Sequence, residues 1–180
     1  EYTNDKATDF NAILTKLKGA KPDLIFYGGM DAVGGPMMRQ MKQLGIDARF
    51  MGGDGICTTE MAKLAGDALG EGKVVCAEAG GVTPDKAAAM EAFRKKFKEK
   101  TGLEVQLYAP YVYDAVNVMV AAMQKANSTD PKKYLPELAK IQYDGVTGRI
   151  SFDKHGDVRD GTLTLYTFKN GAKTQMMVTK

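Results

Sequence analysis

Asp23-Leu24-Ile25-Phe26-Tyr27-Gly28-Gly29 is the stretch that decides the fold. Its run of apolar side chains has no polar alternation, as in a strand buried on both faces. The glycine pair ends the strand. The next periodicity is helical, from Pro36 to Leu44, with Met37, Met38, Met41 and Leu44 inward and Gly45 as the stop. Upstream, Asp9 to Lys18 reads as an amphipathic helix with Phe10, Ile13, Leu14 and Leu17 on one face. Thr8 suits its start and Gly19 its end. Downstream, Arg49-Phe50-Met51 is a short strand ending in Gly52-Gly53-Asp54-Gly55. Thr58 or Thr59 caps a short helix carrying Met61 and Leu64, and Lys73 to Ala77 is another buried-type strand. This αβαβαβ alternation predicts an α/β fold with a parallel, doubly wound sheet.

Further along, helices dominate. Thr83 and Pro84 open a helix running to Lys100, with Ala87, Met90, Phe93 and Phe97 inward. Pro110 to Ala126 is a second helix, with Val112, Val116, Met119 and Met123 at helical spacing, and Asp130-Pro131 opens a third through Leu138. Thr147 to Phe152 and Thr162 to Phe168 read as strands. Asn170-Gly171 is a hairpin signal with Lys173 to Val178 as the return strand. Residues 79–161 therefore bring helices with apolar faces and almost no sheet to bury them. The expectation is the later part of a longer protein; the alternative is a self-contained helical cluster.

Composition narrows the function. A chain of 180 residues is one domain of about 150 residues or two small ones. At 44% hydrophobic residues it has enough apolar content to bury a core, and it has no run of about 18 apolar residues to span a membrane. The first residues, Glu1 to Asp5, do not read as a signal peptide, which leaves the compartment open. A net charge of +3 is too weak for a nucleic-acid partner, and the basic run Arg94 to Lys100 reads as a solvated helix end.

No catalytic residue, metal site or cofactor is expected. The glycines from Gly28 to Gly35 are out of register with a dinucleotide fingerprint, and no Lys-Ser/Thr follows Gly34. They read instead as a tight strand-to-helix turn. His155 sits in a polar turn with no nucleophile in view, and Asp153 and Asp157 do not complete a calcium loop. Cys57 and Cys76 form no Cys-x-x-Cys pair and no zinc spacing. Residue chemistry leaves two readings open: free thiols, or a disulfide contributing about 3 kcal/mol. Ligands of open α/β sheets bind beyond the carboxyl ends of strands, where Met30 and Asp54 fall. Asp54 suits either a counter-ion for a ligand cation or a turn cap.

Several segments in order resemble the periplasmic leucine/isoleucine/valine-binding proteins, the type I solute-binding proteins of ABC transporters. They include Asp9 to Lys18, Pro22 to Gly29, Met38 to Gly45, Phe50 to Gly55 and Leu64 to Ala68. Tyr113-Asp114-Ala115-Val116, Gly145-Val146-Thr147-Gly148 and Phe152 to Asp157 complete the set. The resemblance implies two α/β lobes closing on an amino acid, of which this chain looks like the C-terminal half. Residues 1–77 plus 162–180 would belong to the second lobe and 78–161 to the first. Asp54 falls where the family pairs the ligand ammonium, Tyr108 on an aromatic lining the side-chain pocket. Met30 falls where close branched-chain binders have an aromatic, a departure that bears on specificity.

The cysteine pair resembles that of relatives with a second-lobe disulfide, pointing to Cys57–Cys76 and the periplasm. The implied partners are an amino acid ligand and an ABC permease in the membrane. The apolar helix faces add a further partner: the missing N-terminal half, or a second copy in a homo-oligomer formed by strand or helix exchange. The alternatives are an amino-acid-sensing receptor domain of the same fold and, more remotely, a small hydrolase.

Overall fold

The computed structural model describes residues 1–80 and 86–179. Thr83 and Pro84, read above as a helix start, lie outside the described residues. The chain forms two compact units, residues 1–79 with 162–180, and residues 80–161.

The first unit begins with α1 (Asn11–Gly19), β1 (Leu24–Tyr27), α2 (Asp31–Gln43), β2 (Arg49–Gly52), a 3-10 turn (Asp54–Ile56), α3 (Thr59–Ala65), a second 3-10 turn (Gly66–Ala68) and β3 (Val74–Ala79). Strands β1, β2 and β3 are parallel. Their register puts Ile25, Phe50, Val74 and Cys76 on one face. That face forms the core with Phe10 and Leu14 of α1, Met37, Met38 and Met41 of α2, and Met61 of α3. Helix α2 starts at Asp31, five residues before the expected Pro36, and carries Pro36 inside it. The reason is packing. A Cβ on Gly35 would collide with Leu64 of α3. Gly35 therefore serves close helix approach, and Gly34 close approach to Tyr27 and Ile56, rather than the turn.

The second unit holds α4 (Ala87–Thr101), α5 (Ala109–Ala126), α6 (Pro131–Leu138) and a two-stranded ribbon of β4 (Tyr143–Asp144) and β5 (Arg149–Ile150). The strand expected over Thr147 to Phe152 is thus cut to two paired residues plus an isolated bridge from Phe152 to Val158. On α5 the buried stripe is Pro110, Asp114, Val118 and Ala122. Val112, Val116 and Met119, noted above for their helical spacing, are exposed. Helix α5 is apolar on both sides, so spacing alone did not tell which side packs. Asp114 is only 1% exposed. Its carboxylate accepts from the Val146 N–H at 3.0 Å, the Thr147 N–H at 2.8 Å and the Thr147 hydroxyl at 2.6 Å. A Cβ on Gly145 would sit on that carboxylate. The two resembling segments around Asp114 and Thr147 are thus one buried anchor.

The chain then returns to the first unit with β6 (Leu163–Lys169) and β7 (Ala172–Thr179), giving the order β1-β2-β3-β6-β7. Strand β6 runs antiparallel to β3, and β7 antiparallel to β6. The sheet is therefore mixed, which corrects the expectation of an all-parallel one. Asn170 and Gly171 both have positive φ, 51° and 73°, the backbone that a two-residue hairpin demands. Such a turn forces neighbouring antiparallel strands.

Candidate functional site

The loops after β1 and β2 meet at the carboxyl end of the parallel strands. Met30 caps the N-terminus of α2 with extended backbone and is 51% exposed. The Tyr27 hydroxyl donates to its carbonyl at 3.4 Å. Burial, opposed by that bond and aided by the nearby Asp31 charge, holds the Tyr27 phenol above its ordinary pKa. Asp54 opens the 3-10 turn after β2 and is exposed. Among the described residues its carboxylate makes no hydrogen bond or ion pair, while its carbonyl accepts from the Cys57 N–H at 2.9 Å.

Glycine is what lets the two loops touch. A Cβ on Gly55 would lie 2.6 Å from the Gly29 carbonyl oxygen and 2.8 Å from the Met30 sulfur. A Cβ on Gly52 would lie 2.8 Å from the Tyr27 carbonyl oxygen. No larger residue fits either place without moving backbone.

Two further ties fix the Asp54 turn. Cys57, just past it, is disulfide-bonded to Cys76 of β3, with a Cα–Cα distance of 5.4 Å and both residues fully buried. This settles the two readings of the cysteines. Next, the Thr58 hydroxyl donates to the Asp31 carboxylate and accepts from the Met61 N–H at 3.1 Å. Thr58 therefore caps α3 while joining it to the start of α2. Asp31 also accepts from the Ala32 N–H at 2.7 Å. Sequence reading found Thr58 as a cap but not Asp31 as its partner. The only local signal was an acidic residue in the first turn of a helix.

Tyr108 lies in the other unit, where it precedes α5 and is 44% exposed. The structure thus brings Met30 and Asp54 together on one unit and puts Tyr108 on the second. His155 is exposed, and its N–H donates to Asp153 at 2.8 Å within a turn. No cluster of metal-ligating side chains exists among the described residues.

The profile of the periplasmic binding protein family matches residues 1–173. Similar proteins include a leucine-, isoleucine-, valine-, threonine- and alanine-binding protein of Pseudomonas aeruginosa. It is 32% identical over 98% of this chain and 46% of its own length. A Leu/Ile/Val-binding protein homolog of Brucella abortus is 33% identical over 96% of this chain and 45% of its own. Among solved structures, a leucine-binding protein of Thermotoga maritima superposes with TM-score 0.80 at 28% identity. The match covers 99% of this chain and 50% of that one. A branched-chain amino acid transporter substrate-binding protein of Streptococcus pneumoniae, in complex with isoleucine, gives 0.76 at 27% identity, covering 98% and 50%. The chain spans about half the length of the relatives it matches.

Proposed function

Because the chain belongs to the periplasmic binding protein family, we propose that it is part of a non-enzymatic solute-binding component of an ABC transporter. It binds an amino acid, of branched-chain type, and presents it to a membrane permease from the periplasm. The unit of residues 1–79 and 162–180 is then part of the second lobe, and residues 80–161 part of the first. Hinge closure of two such lobes on a ligand is the motion of this class of protein.

The observation that carries the reading is the Asp54 carboxylate. It is exposed, uncommitted, at the carboxyl end of β2, on a turn held by a disulfide and two glycine contacts. A carboxylate without a protein partner on a held turn suits an ammonium group, since the backbone is already placed and only the side chain's own rotation is ordered on binding. Met30 beside it is a flexible, polarizable wall for an aliphatic side chain, and adapts to more shapes than a ring would.

L-leucine titrated into the chain and followed by amide chemical shifts tests this. The amides of Met30, Gly53, Asp54 and Gly55 are expected to move, and to stay still in Asp54→Ala. Shifts of those amides that persist in Asp54→Ala remove Asp54 from the site.

A further inference from the structure

Met30 and Asp54 are tied to each other through their neighbours. Met30 caps α2, and Asp31 is the next residue along. Asp54 opens its 3-10 turn, which ends at Cys57, and Thr58 follows. The Cys57 N–H donates to the Asp54 carbonyl at 2.9 Å. The Asp31 carboxylate is divided between the two segments. One oxygen accepts from the Ala32 N–H at 2.7 Å, inside the first turn of α2. The other accepts from the Thr58 hydroxyl across the gap between the loops. The same hydroxyl oxygen accepts from the Met61 N–H at 3.1 Å, so its direction is set from both sides. A hydroxyl held against a carboxylate in a half-buried place makes one of the stronger kinds of hydrogen bond.

The two loops therefore meet at two separate points. One is the approach of Gly55 to Gly29 and Met30, too close for a Cβ. The other is the Asp31–Thr58 bond. Loops joined at one point can pivot, whereas loops joined at two keep their angle. The Met30 carbonyl is held as well, by the Tyr27 hydroxyl at 3.4 Å. What stays free at Met30 is its exposed side chain.

We infer that Asp31 is a positioning residue for the ligand pocket and governs its selectivity among aliphatic amino acids. The inference rests on the reading of Asp54 and Met30 as ligand contacts. Through Thr58, Asp31 fixes the distance between the Asp54 turn, which takes the ammonium group, and the Met30 wall, which takes the side chain. A wall held at one distance favours a side chain that reaches it and leaves a shorter one without contact. A wall free to follow the ligand serves both. Support of this kind separates a selective pocket from a loose one.

The test reads the chain without and with ligand. Without ligand, Asp31→Ala is expected to move the amide shifts of Gly53, Asp54 and Gly55, and Thr58→Val those of Met30 and Ala32. Each effect is read in the loop opposite the substitution. Thr58→Ser keeps the hydroxyl and is expected to leave both loops in place. Thr58→Val also gives up the α3 cap and Asp31→Ala does not, so the pair separates the bond from the cap. L-leucine and L-alanine are then titrated separately. Asp31→Ala is expected to lower the leucine-to-alanine affinity ratio at least about threefold, part of the roughly 10-fold or more that one methylene is worth in a fixed apolar pocket. Adding Thr58→Val is expected to change the ratio no further, because one bond carries both effects. A purely structural role weakens both amino acids alike, so reduced affinities at an unchanged ratio overturn the inference. So do loops that do not sense each other's substitutions. Ligand shifts that persist in Asp54→Ala overturn the site reading and this inference with it, whereas an unchanged ratio in Asp31→Ala overturns this inference alone.

Discussion

Replacing Asp114 by alanine is expected to unfold the second unit preferentially. Its carboxylate is 1% exposed and accepts three hydrogen bonds, at 3.0, 2.8 and 2.6 Å, all from Val146 and Thr147. Hydrogen bonds to a charged acceptor each contribute about 1.5–3 kcal/mol, and a donor stranded in a dry site costs about 1–3 kcal/mol. Val146 and Thr147 are themselves only half-buried, so water reaches the freed donors in part. The expected loss is therefore near the lower bound for three such bonds, about 4–5 kcal/mol. Thr147→Val removes the hydroxyl bond alone and is expected to cost about 1.5 kcal/mol. Urea unfolding measures the total, and native-state amide exchange localises it. Amides of α5, β4 and β5 are expected to lose protection while those of β2 and β3 keep theirs. A loss under about 1 kcal/mol for Asp114→Ala, or equal loss of protection in both units, refutes the anchor.

Thiol titration under denaturing, non-reducing conditions is expected to find no free thiol, and Cys57→Ser with Cys76→Ser to cost about 3 kcal/mol in chemical unfolding; two free thiols count against the bond. Gly55→Ala drives a methyl into the Gly29 carbonyl, 2.6 Å away. Crystallography of that variant is expected to show the two loops parted and leucine-induced amide shifts reduced; an unmoved loop contradicts the contact. Asp153 is held below the usual carboxylate range by the His155 amide first and the Asp157 amide second. Its contribution is then complete above the ordinary carboxylate range and disappears as pH falls through the lowered value. The His155 and Asp157 amide shifts are expected to titrate below that of a free aspartate, and not at all in Asp153→Asn.

The parallel strands and the helix between them were legible because their signals are local. Leu24 to Tyr27 carries its own apolar run, and Thr58 its own capping chemistry. Asn170-Gly171 announced its hairpin because both positions need positive φ. The start of α2 was not legible. Gly34-Gly35-Pro36 carries the composition of a turn, and what overrides it is Leu64 packing against Gly35, far away in sequence. The same limit applies at the candidate site. Met30 and Asp54 were found because glycines mark strand ends, whereas the Asp31–Thr58 bond joins residues 27 apart that no pattern links. On α5, periodicity marked Val112, Val116, Met119 and Met123, and had no means to show that Pro110, Asp114, Val118 and Ala122 are the side that packs.

The discontinuity of the first unit orders events in time. Strand β3 ends at Ala79, yet its neighbour β6 begins only at Leu163 and β7 closes at Thr179. A ribosome adding about 5–20 residues per second takes about 5–20 s to cover that interval. Throughout it, β3 has nothing to pair with on that side, and the sheet stands open where Cys76 and Val74 cross it. Nascent chains of this protein thus hold an open strand edge for seconds, the condition in which unpaired edges invite pairing with a neighbouring chain.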